Sequence, residues 1–352
     1  PLRRLQLFLR YSILSTCYKV IPGNITISRM LKKFIGKYNY FEKYFVKSSI
    51  DLIYFTSPDP SAFYIENLNF ISTLWDLAHR TIPEFPELRE NESFETRDYY
   101  YSKVLPKSFA CVVGHSYAKQ LAVKIYNISP QRVFVLPFRP SKFLIDIDQN
   151  QKITKSIEHK FLDKYPPKSY IFYPSQFWAH KNHAYIIDAL KILITDNNID
   201  IKLFCTGSDK GNYKNLLQLI ERENMSQYIQ FFGFVEPEEL YLLYKNSLAV
   251  VMPTYIGPAS LPTLEAFNLG VPVIYSNLQH FFDSYQDGCL YMDLQDPSTL
   301  AKHILNLLGD TNLRDELIHK GYRQYEKIQA QTEKNEFIKH ILSYDSIKRT
   351  FN

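Results

Sequence analysis

The chain has 352 residues, which is long enough for two domains that each bury a core, and its 45% hydrophobic and 22% charged residues are typical of a globular protein. The net charge is only +5 and the basic residues are spread along the chain, which argues against nucleic acid as a partner. Its four cysteines (Cys17, Cys111, Cys205 and Cys289) form no Cys-x-x-Cys pair, which argues against disulfides or a zinc site and favours a reducing compartment.

The N-terminal segment, residues 2–21, is the nearest approach to a membrane-spanning sequence. Four basic residues interrupt it, and a spanning helix needs about 20 apolar residues in a row. Two interpretations stay open. The segment is an amphipathic helix on an anionic membrane surface, or its apolar residues pack against the protein's own sheet, which we favour.

The first part of the chain alternates short apolar runs with helical patterns, which predicts a parallel sheet covered on both faces. The predicted strands are residues 52–56, 70–74, 109–114 and 132–138, with a helix over 116–126. The polar, lysine-rich residues 141–169 are predicted to be a linker with one short helix.

A polar segment, residues 75–80, follows the second predicted strand directly. It contains Asp76 and His79, and the carboxyl end of a parallel strand is where a ligand cleft is expected. Asp76 has two interpretations: a residue of the site, which we favour, or an N-cap for the turn that follows.

The second part again predicts alternating strands and helices, beginning with a strand over 170–173 and a loop over 174–182. Lys181 lies where a helix begins, and a cation there opposes the helix dipole unless an anion offsets it. Lys181 is therefore a candidate phosphate ligand. His180 and His183 have a spacing that metals sometimes use, but no carboxylate or cysteine cluster supports a metal site.

Residues 252–274 predict strand, loop, helix and strand in succession. Gly257 lies in the loop, Ser260 opens the helix and Pro262 lies in its first turn, an arrangement that directs free N–H groups at an anion such as a diphosphate. Glu265 follows about one turn later, within reach of a ligand hydroxyl. The alternative is an ordinary turn followed by a solvated glutamate.

The remaining strands are predicted at 202–206, 229–232 and 290–292, and the last helices at 297–308, 312–325 and 331–342.

These motifs together resemble retaining glycosyltransferases of the GT-B fold, in particular glycosyltransferase family 4. The resemblance implies an α/β fold of two Rossmann-like domains with parallel sheets facing a central cleft. The domains are expected at residues 1–145 and 146–330, with a terminal helix in 331–352 crossing back. The family usually carries two glutamates eight positions apart; here Glu265 fills the second place and Gly257 occupies the first. Where the family has a histidine before the aspartate, this chain has Trp75 before Asp76.

The resemblance also implies roles for single residues. Lys181 and the turn at the start of the helix hold the diphosphate, Glu265 binds the ribose, and Asp76 faces sugar and acceptor. The further expected substrate contacts are Gln176, Gly257, Ser260, Leu261, Pro262, Thr263, Phe234 and His79. No metal or other cofactor is expected, and the family's first strand and glycine-rich loop are expected upstream of Pro1.

The implied activity is transfer of a hexosyl unit, mannosyl- or glucosyl-type, from a nucleoside-diphosphate sugar to a glycan or lipid-linked acceptor, with retention at the anomeric carbon. The expected location is the cytoplasm, with peripheral association at the inner face of the membrane as an option. Two alternatives stay open: a GT-B protein that binds nucleotide sugars without turnover, and a sugar-nucleotide epimerase.

Overall fold

The computed structural model of the protein describes residues 40–150, 153–257 and 260–351. It contains two parallel sheets, one after the other along the chain, which confirms the predicted α/β class. Within the described ranges, no helix has both the length and the apolar character needed to cross a bilayer. The predicted segment 2–21 and Cys17 lie outside these ranges, and the other three cysteines are free and buried.

The first sheet has the strand order β1-β2-β3-β4. Its strands are β1 (Leu52–Phe55), β2 (Asn69–Leu74), β3 (Ala110–Val113) and β4 (Val133–Val135). The helices of this region are α1 (Tyr40–Lys47), α2 (Ala78–Thr81), α3 (Ser93–Val104) and α4 (Ser116–Tyr126). The two inner strands are almost fully buried because helices cover both faces of a parallel sheet. The sequence analysis had not predicted α3, whose polar composition hides its packing face.

The connection between the sheets contains two helices, α5 (Lys142–Asn150) and α6 (Lys155–Lys164), where the sequence predicted one. Only a few apolar residues anchor this region, among them the buried Leu144 and Ile147. The connection is also held by charge, because Asp148 accepts hydrogen bonds from Tyr241 and Lys245 at 2.9 and 3.0 Å. A lysine-rich stretch with so few apolar positions has too weak a pattern for both helices to be predicted.

The second sheet has the strand order β10-β9-β8-β5-β6-β7. Its strands are β5 (Tyr170–Pro174), β6 (Lys202–Thr206), β7 (Ile229–Phe231), β8 (Val250–Met252), β9 (Val273–Ser276) and β10 (Leu290–Met292). The helices are α7 (His183–Thr195), α8 (Tyr213–Arg222), α9 (Pro237–Asn246), α10 (Leu261–Asn268), α11 (Gln279–Tyr285) and α12 (Pro297–Gly309). Strand β5 pairs with β6 on one side and β8 on the other, so the strand order reverses at β5. In open α/β sheets, ligands bind outside the carboxyl ends of the strands at such a reversal.

The last two helices join the two halves of the chain. Helix α13 (Thr311–Ala330) packs beside α10, and α14 (Lys334–Lys348) returns to the first sheet. Phe337 of α14 is buried in one cluster with Ile71 and Phe134 of that sheet. Between the helices, Glu333 accepts hydrogen bonds from the Val135 N–H and the Lys119 ammonium, each within 2.9 Å.

Candidate functional site

The loop after β5 is fixed against the neighbouring strand β6. The N–H of Phe177 donates to the carbonyl of Ser208 at 3.0 Å, and that of Ser175 donates to the carbonyl of Thr206 at the same distance. Gly207 makes this contact possible, because a Cβ there would lie only 2.5 Å from the Ser175 oxygen, and its φ of +137° favours glycine. The loop therefore leaves the sheet at a defined angle and presents its next residues at the strand reversal.

Lys181 lies at the end of this loop, two residues before α7 begins. Its carbonyl accepts a hydrogen bond of 2.7 Å from the hydroxyl of Tyr173, a fully buried ring of β5. Burial lowers the pKa of the Lys181 ammonium to about 8, and the nearby Asp76 carboxylate offsets this only in part. Among the residues described, no carboxylate lies within salt-bridge distance of Lys181. Burying a charge is costly unless it is paired, so we expect this partly desolvated cation to attract an anion.

Gly257, in the loop after β8, lies beside that ammonium. A Cβ added to Gly257 would be 3.6 Å from Lys181 Nζ, and the φ of +109° is one that side-chain-bearing residues rarely adopt. The carbonyl of Gly257 accepts a 3.1 Å hydrogen bond from the hydroxyl of Tyr275, another buried ring. Strands β5 and β8 are neighbours, so residues distant in sequence meet here.

The first turn of α10 follows this loop. Ser260 and Thr263 are buried, Leu261 is exposed and Pro262 is half-buried. The N–H of Ser260 donates to the hydroxyl of Tyr285 at 3.1 Å, so it is already used within the protein. Since proline has no N–H, this turn can offer a ligand the N–H groups of Leu261 and Thr263, which is fewer than the sequence suggested.

Glu265 lies one turn further along α10 and is half-buried. Its carboxylate accepts hydrogen bonds from the Tyr244 hydroxyl at 2.7 Å and the Ser141 N–H at 3.4 Å. Burial raises the pKa of Glu265, while these two donors lower it. Glu265 is thus a held side chain and not the solvated helix residue of the alternative interpretation.

Asp76 follows β2 in the first sheet and is already engaged. Its Oδ1 accepts from the N–H of Ala78 at 2.9 Å and from the guanidinium of Arg97 on α3. About 30% of each side chain stays exposed. The N-cap residue of α2 is Leu77, so Asp76 is not the N-cap of the alternative interpretation. Trp75 beside it is 53% exposed. The Asp76 carboxylate partly offsets the lowering of the pKa that burial causes at Lys181 and at His180.

His79 does not contact the site, which corrects the prediction that it binds substrate. It has no exposed surface and lies among the rings of Phe94, Tyr101 and Tyr126. Its Nε2 is 3.2 Å from the Tyr126 hydroxyl, and burial lowers its pKa to about 4. The short helix α2 turns this residue inward, and a turn of four residues cannot be resolved from sequence periodicity.

Two further predicted residues lie on the β6 and β7 side of the same sheet edge. Gln176 is exposed, and its Oε1 accepts a 3.1 Å hydrogen bond from the indole of Trp178. Phe234 follows Gly233 after β7 and is 92% exposed. Neither residue contacts Lys181 or Glu265 in the structure. No group of three or more potential metal-ligating side chains is arranged to hold a metal in the described part of the chain.

Comparison with known proteins matches the region that builds most of this site. Residues 154–324, just under half of the chain, match the family described as glycosyl transferases group 1. Curated relatives include O-antigen chain mannosyltransferase B of Escherichia coli, 29% identical over 45% of this chain and 41% of the relative. Another is the O-antigen chain mannosyltransferase RfbU of Salmonella typhimurium, 24% identical over 65% of this chain and 63% of the relative.

Residues 154–324 are therefore similar to the group 1 glycosyltransferases.

Solved structures extend the likeness to the whole fold. HepE of Anabaena, in a complex with UDP and glucose, has a TM-score of 0.67 and 17% identity over 88% of this chain and 83% of its own. WaaG, a glycosyltransferase of lipopolysaccharide biosynthesis, has a TM-score of 0.66 and 15% identity over 86% and 81%. The GT-B fold implied by the sequence is thereby confirmed. The chain spans less than two thirds of the length of the curated relatives named above.

The sequence analysis missed the residues that hold the candidate site in place without lining it. Arg97 lies on the unpredicted helix α3, and Tyr244 and Ser141 reach Glu265 from 21 and 124 positions away. Glu87 lies in the loop of residues 83–88, to which the sequence analysis assigned no role. The local signal available for it was a carboxylate between Pro86 and Leu88.

Proposed function

We propose that the protein transfers a hexosyl unit, mannosyl- or glucosyl-type, from a nucleoside-diphosphate sugar to a hydroxyl of a glycan or lipid-linked saccharide, with retention. The observation that carries this proposal is the ammonium of Lys181, which lies beside Gly257 at the strand reversal without an ion pair. A diphosphate supplies the missing anion.

The chemistry follows from the groups at the sheet edge. The bond between the anomeric carbon and the diphosphate oxygen breaks, so negative charge grows on the diphosphate. The acceptor oxygen bonds to the same carbon, and its proton is released together with the nucleoside diphosphate. Lys181 and the N–H groups of Leu261 and Thr263 are placed to stabilise that charge. Glu265 accepts hydrogen bonds from ribose hydroxyls, and Asp76 faces the sugar and the acceptor from the first domain. In this proposal no metal takes part.

The relatives support the class of donor and acceptor. Two are mannosyltransferases of O-antigen chains, and the HepE structure contains UDP and glucose. We further propose that the enzyme acts in the cytoplasm, and at the inner membrane face when the acceptor is lipid-linked. The buried, free state of the three described cysteines agrees with a reducing compartment.

The direct experiment incubates the protein with a panel of nucleotide sugars and measures released nucleoside diphosphate. A glycosyltransferase releases it faster with a suitable acceptor glycan or lipid-linked saccharide, and chelation of metals leaves the rate unchanged. A sugar-nucleotide epimerase instead changes the sugar and leaves the nucleotide bond intact. Absence of both products across the panel would contradict the proposal.

One observation favours a second candidate, a protein that binds nucleotide sugars without turnover. Gly257 stands where the family has its first glutamate, and it has no side chain to contact the donor sugar. In that case calorimetry detects binding of a nucleotide sugar, while the product assay shows neither diphosphate release nor a changed sugar.

A further inference from the structure

A loop of the first domain docks against the diphosphate site of the second. The buried Ala78 and Leu88 form one apolar cluster with Ile256, which lies next to Gly257. The ring of Phe85 packs 5.2 Å from that of Tyr255 in the same second-domain loop. The loop that follows α2 is therefore an interface between the two halves of the molecule, close to Lys181.

Glu87 makes the polar contact at the centre of this interface. One carboxylate oxygen, Oε1, accepts two hydrogen bonds from His180: from the backbone N–H at 3.0 Å and from ring Nδ1 at 2.6 Å. Both side chains are only about a tenth exposed, so water does not replace these contacts. Burial lowers the pKa of His180 to about 4, so at neutral pH the ring is neutral and Nδ1–H donates.

His180 is held from its other side by its own domain. Its carbonyl accepts from the Tyr255 N–H at 3.0 Å, and Lys181 follows directly along the backbone. The backbone of His180 is therefore fixed by the first domain at its N–H and by the second domain at its carbonyl. A shift of either domain moves the lysine relative to Gly257.

We propose that Glu87 is a positioning residue for the diphosphate site: through His180 it sets the place of Lys181, so the first domain completes a site that the second domain mostly builds. This inference rests on the proposed function. It gives the loop a task beyond joining two domains, because donor affinity then depends on a residue that contacts no part of the donor.

Glu333 provides the matched control. It is also a carboxylate that joins the later part of the chain to the first domain, and it accepts hydrogen bonds from Val135 and Lys119. It contacts nothing in the loop that contains Lys181. If Glu87 served only to hold the two domains together, replacing either glutamate would have the same effect on ligand binding.

The experiment measures dissociation constants by calorimetry for uridine diphosphate and guanosine diphosphate, each against its own nucleoside. Glu87→Ala is expected to weaken binding of the diphosphate by about tenfold, the scale on which partners that orient a ligating side chain act at metal sites. Glu87→Gln keeps an acceptor oxygen and should stay within about threefold of the parent, as should Glu333→Ala. Nucleoside binding should change little in every variant.

Hydrogen exchange of residues 176–182 gives a second readout that needs no ligand. Glu87→Ala should speed exchange of the His180 amide, whose acceptor is lost, and Glu333→Ala should not. If Glu87→Ala does not fold, Glu87→Asp replaces it, because the shorter carboxylate cannot reach both donors. Two results would overturn this inference and leave the proposed function standing. Either the parent, Glu87→Ala and Glu333→Ala bind the diphosphate equally well, or the two variants lose the same amount of affinity. A parent protein that binds neither diphosphate would overturn the proposed function and this role with it.

Discussion

Two loops, one in each domain, follow the carboxyl end of an inner strand of a parallel sheet and differ in their charge. The segment after β2 carries Asp76, which is paired with Arg97 and also accepts a hydrogen bond from the N–H of Ala78. The loop after β5 carries Lys181, for which the described residues provide no ion pair. A charge that the protein has neutralised is held for positioning, whereas a partly buried charge left without a partner indicates a ligand of opposite sign. We therefore expect the anion to bind in the second domain.

Each of these two regions also contains a buried histidine, His79 in α2 and His183 at the start of α7. Their titration gives the largest expected effect on stability. Burial lowers the pKa of His79 to about 4 and that of His183 to about 3. As the pH falls below 6.5 the unfolded chain binds these protons before the folded one does. The free energy of unfolding should therefore fall between pH 6.5 and about 4, by up to about 1.4 kcal/mol per pH unit for each histidine.

Urea unfolding measured from pH 7 to pH 4.5 checks this expectation. His79→Gln keeps a hydrogen-bonding side chain but removes the titration, so its stability should fall less steeply with pH. Burial raises the pKa of Glu265 and so acts in the opposite direction, because the folded state retains that proton. An unchanged slope in His79→Gln would show that this histidine is not buried as described.

The next-largest expected effect comes from removing the unpaired charge of Lys181. Lys181→Met removes the ammonium and keeps most of the stem. Nucleoside-diphosphate binding should weaken by about 10- to 150-fold, the equivalent of one charge-assisted contact, while nucleoside binding should change little. Without ligand, stability should be unchanged or slightly higher, by about 0.3–1 kcal/mol, because a cation at a helix start opposes the dipole.

Lys210→Met is the control for Lys181→Met, because Lys210 is an exposed lysine near the same loop, over the ring of Trp178. It should leave diphosphate affinity close to that of the parent. A loss of affinity for nucleoside and diphosphate alike in Lys181→Met would instead point to damaged packing of the loop.

Replacing Glu265 tests whether its hydrogen bond with Tyr244 stabilises the fold. Glu265→Ala removes the acceptor of the fully buried Tyr244 hydroxyl, which should lower the free energy of unfolding by about 1–3 kcal/mol. Diphosphate binding should weaken by about 1.5–3 kcal/mol through loss of the ribose contact. Glu265→Gln keeps an acceptor oxygen and should recover most of the stability. Full stability in Glu265→Ala, measured by thermal unfolding, would place this glutamate in solvent.

The smallest effect concerns the paired charge. Arg97 and Asp76 are both partly exposed, so Arg97→Ala should lower the free energy of unfolding by only about 0.2–1 kcal/mol. Diphosphate affinity should stay near that of the parent, since the Asp76 carboxylate pairs with Arg97 and is not within salt-bridge distance of Lys181. A tenfold loss of diphosphate affinity in Arg97→Ala would contradict the distinction between the paired charge of Asp76 and the unpaired charge of Lys181.

Much of the fold could be predicted from the sequence because the strands are short apolar runs bounded by glycine and proline. The place of Lys181 followed from its position before a helix, and that of Glu265 from the strand, loop and helix around Ser260. These are local signals that need no knowledge of distant residues.

The contacts that hold the site could not be predicted in this way. The sequence pattern predicts that three tyrosines, Tyr173, Tyr244 and Tyr275, are core residues. Nothing in their own segments shows that each hydroxyl donates a hydrogen bond to a residue of the candidate site. The pairing of Glu87 with His180 spans 93 positions. Such contacts depend on how the domains meet, which is a property of the whole fold.

The measurement that tests the central claim most directly is a calorimetric titration of the parent protein with uridine diphosphate, guanosine diphosphate and their nucleosides, at pH 7 and pH 9. The claim is that an anion binds beside Gly257 and the Lys181 ammonium. At pH 7 one diphosphate should bind at least about tenfold more tightly than its nucleoside. This advantage should shrink at pH 9, because Lys181 has a pKa of about 8 in the protein without ligand and is therefore mostly neutral at that pH. Equal affinity for nucleoside and diphosphate at pH 7 would contradict the account.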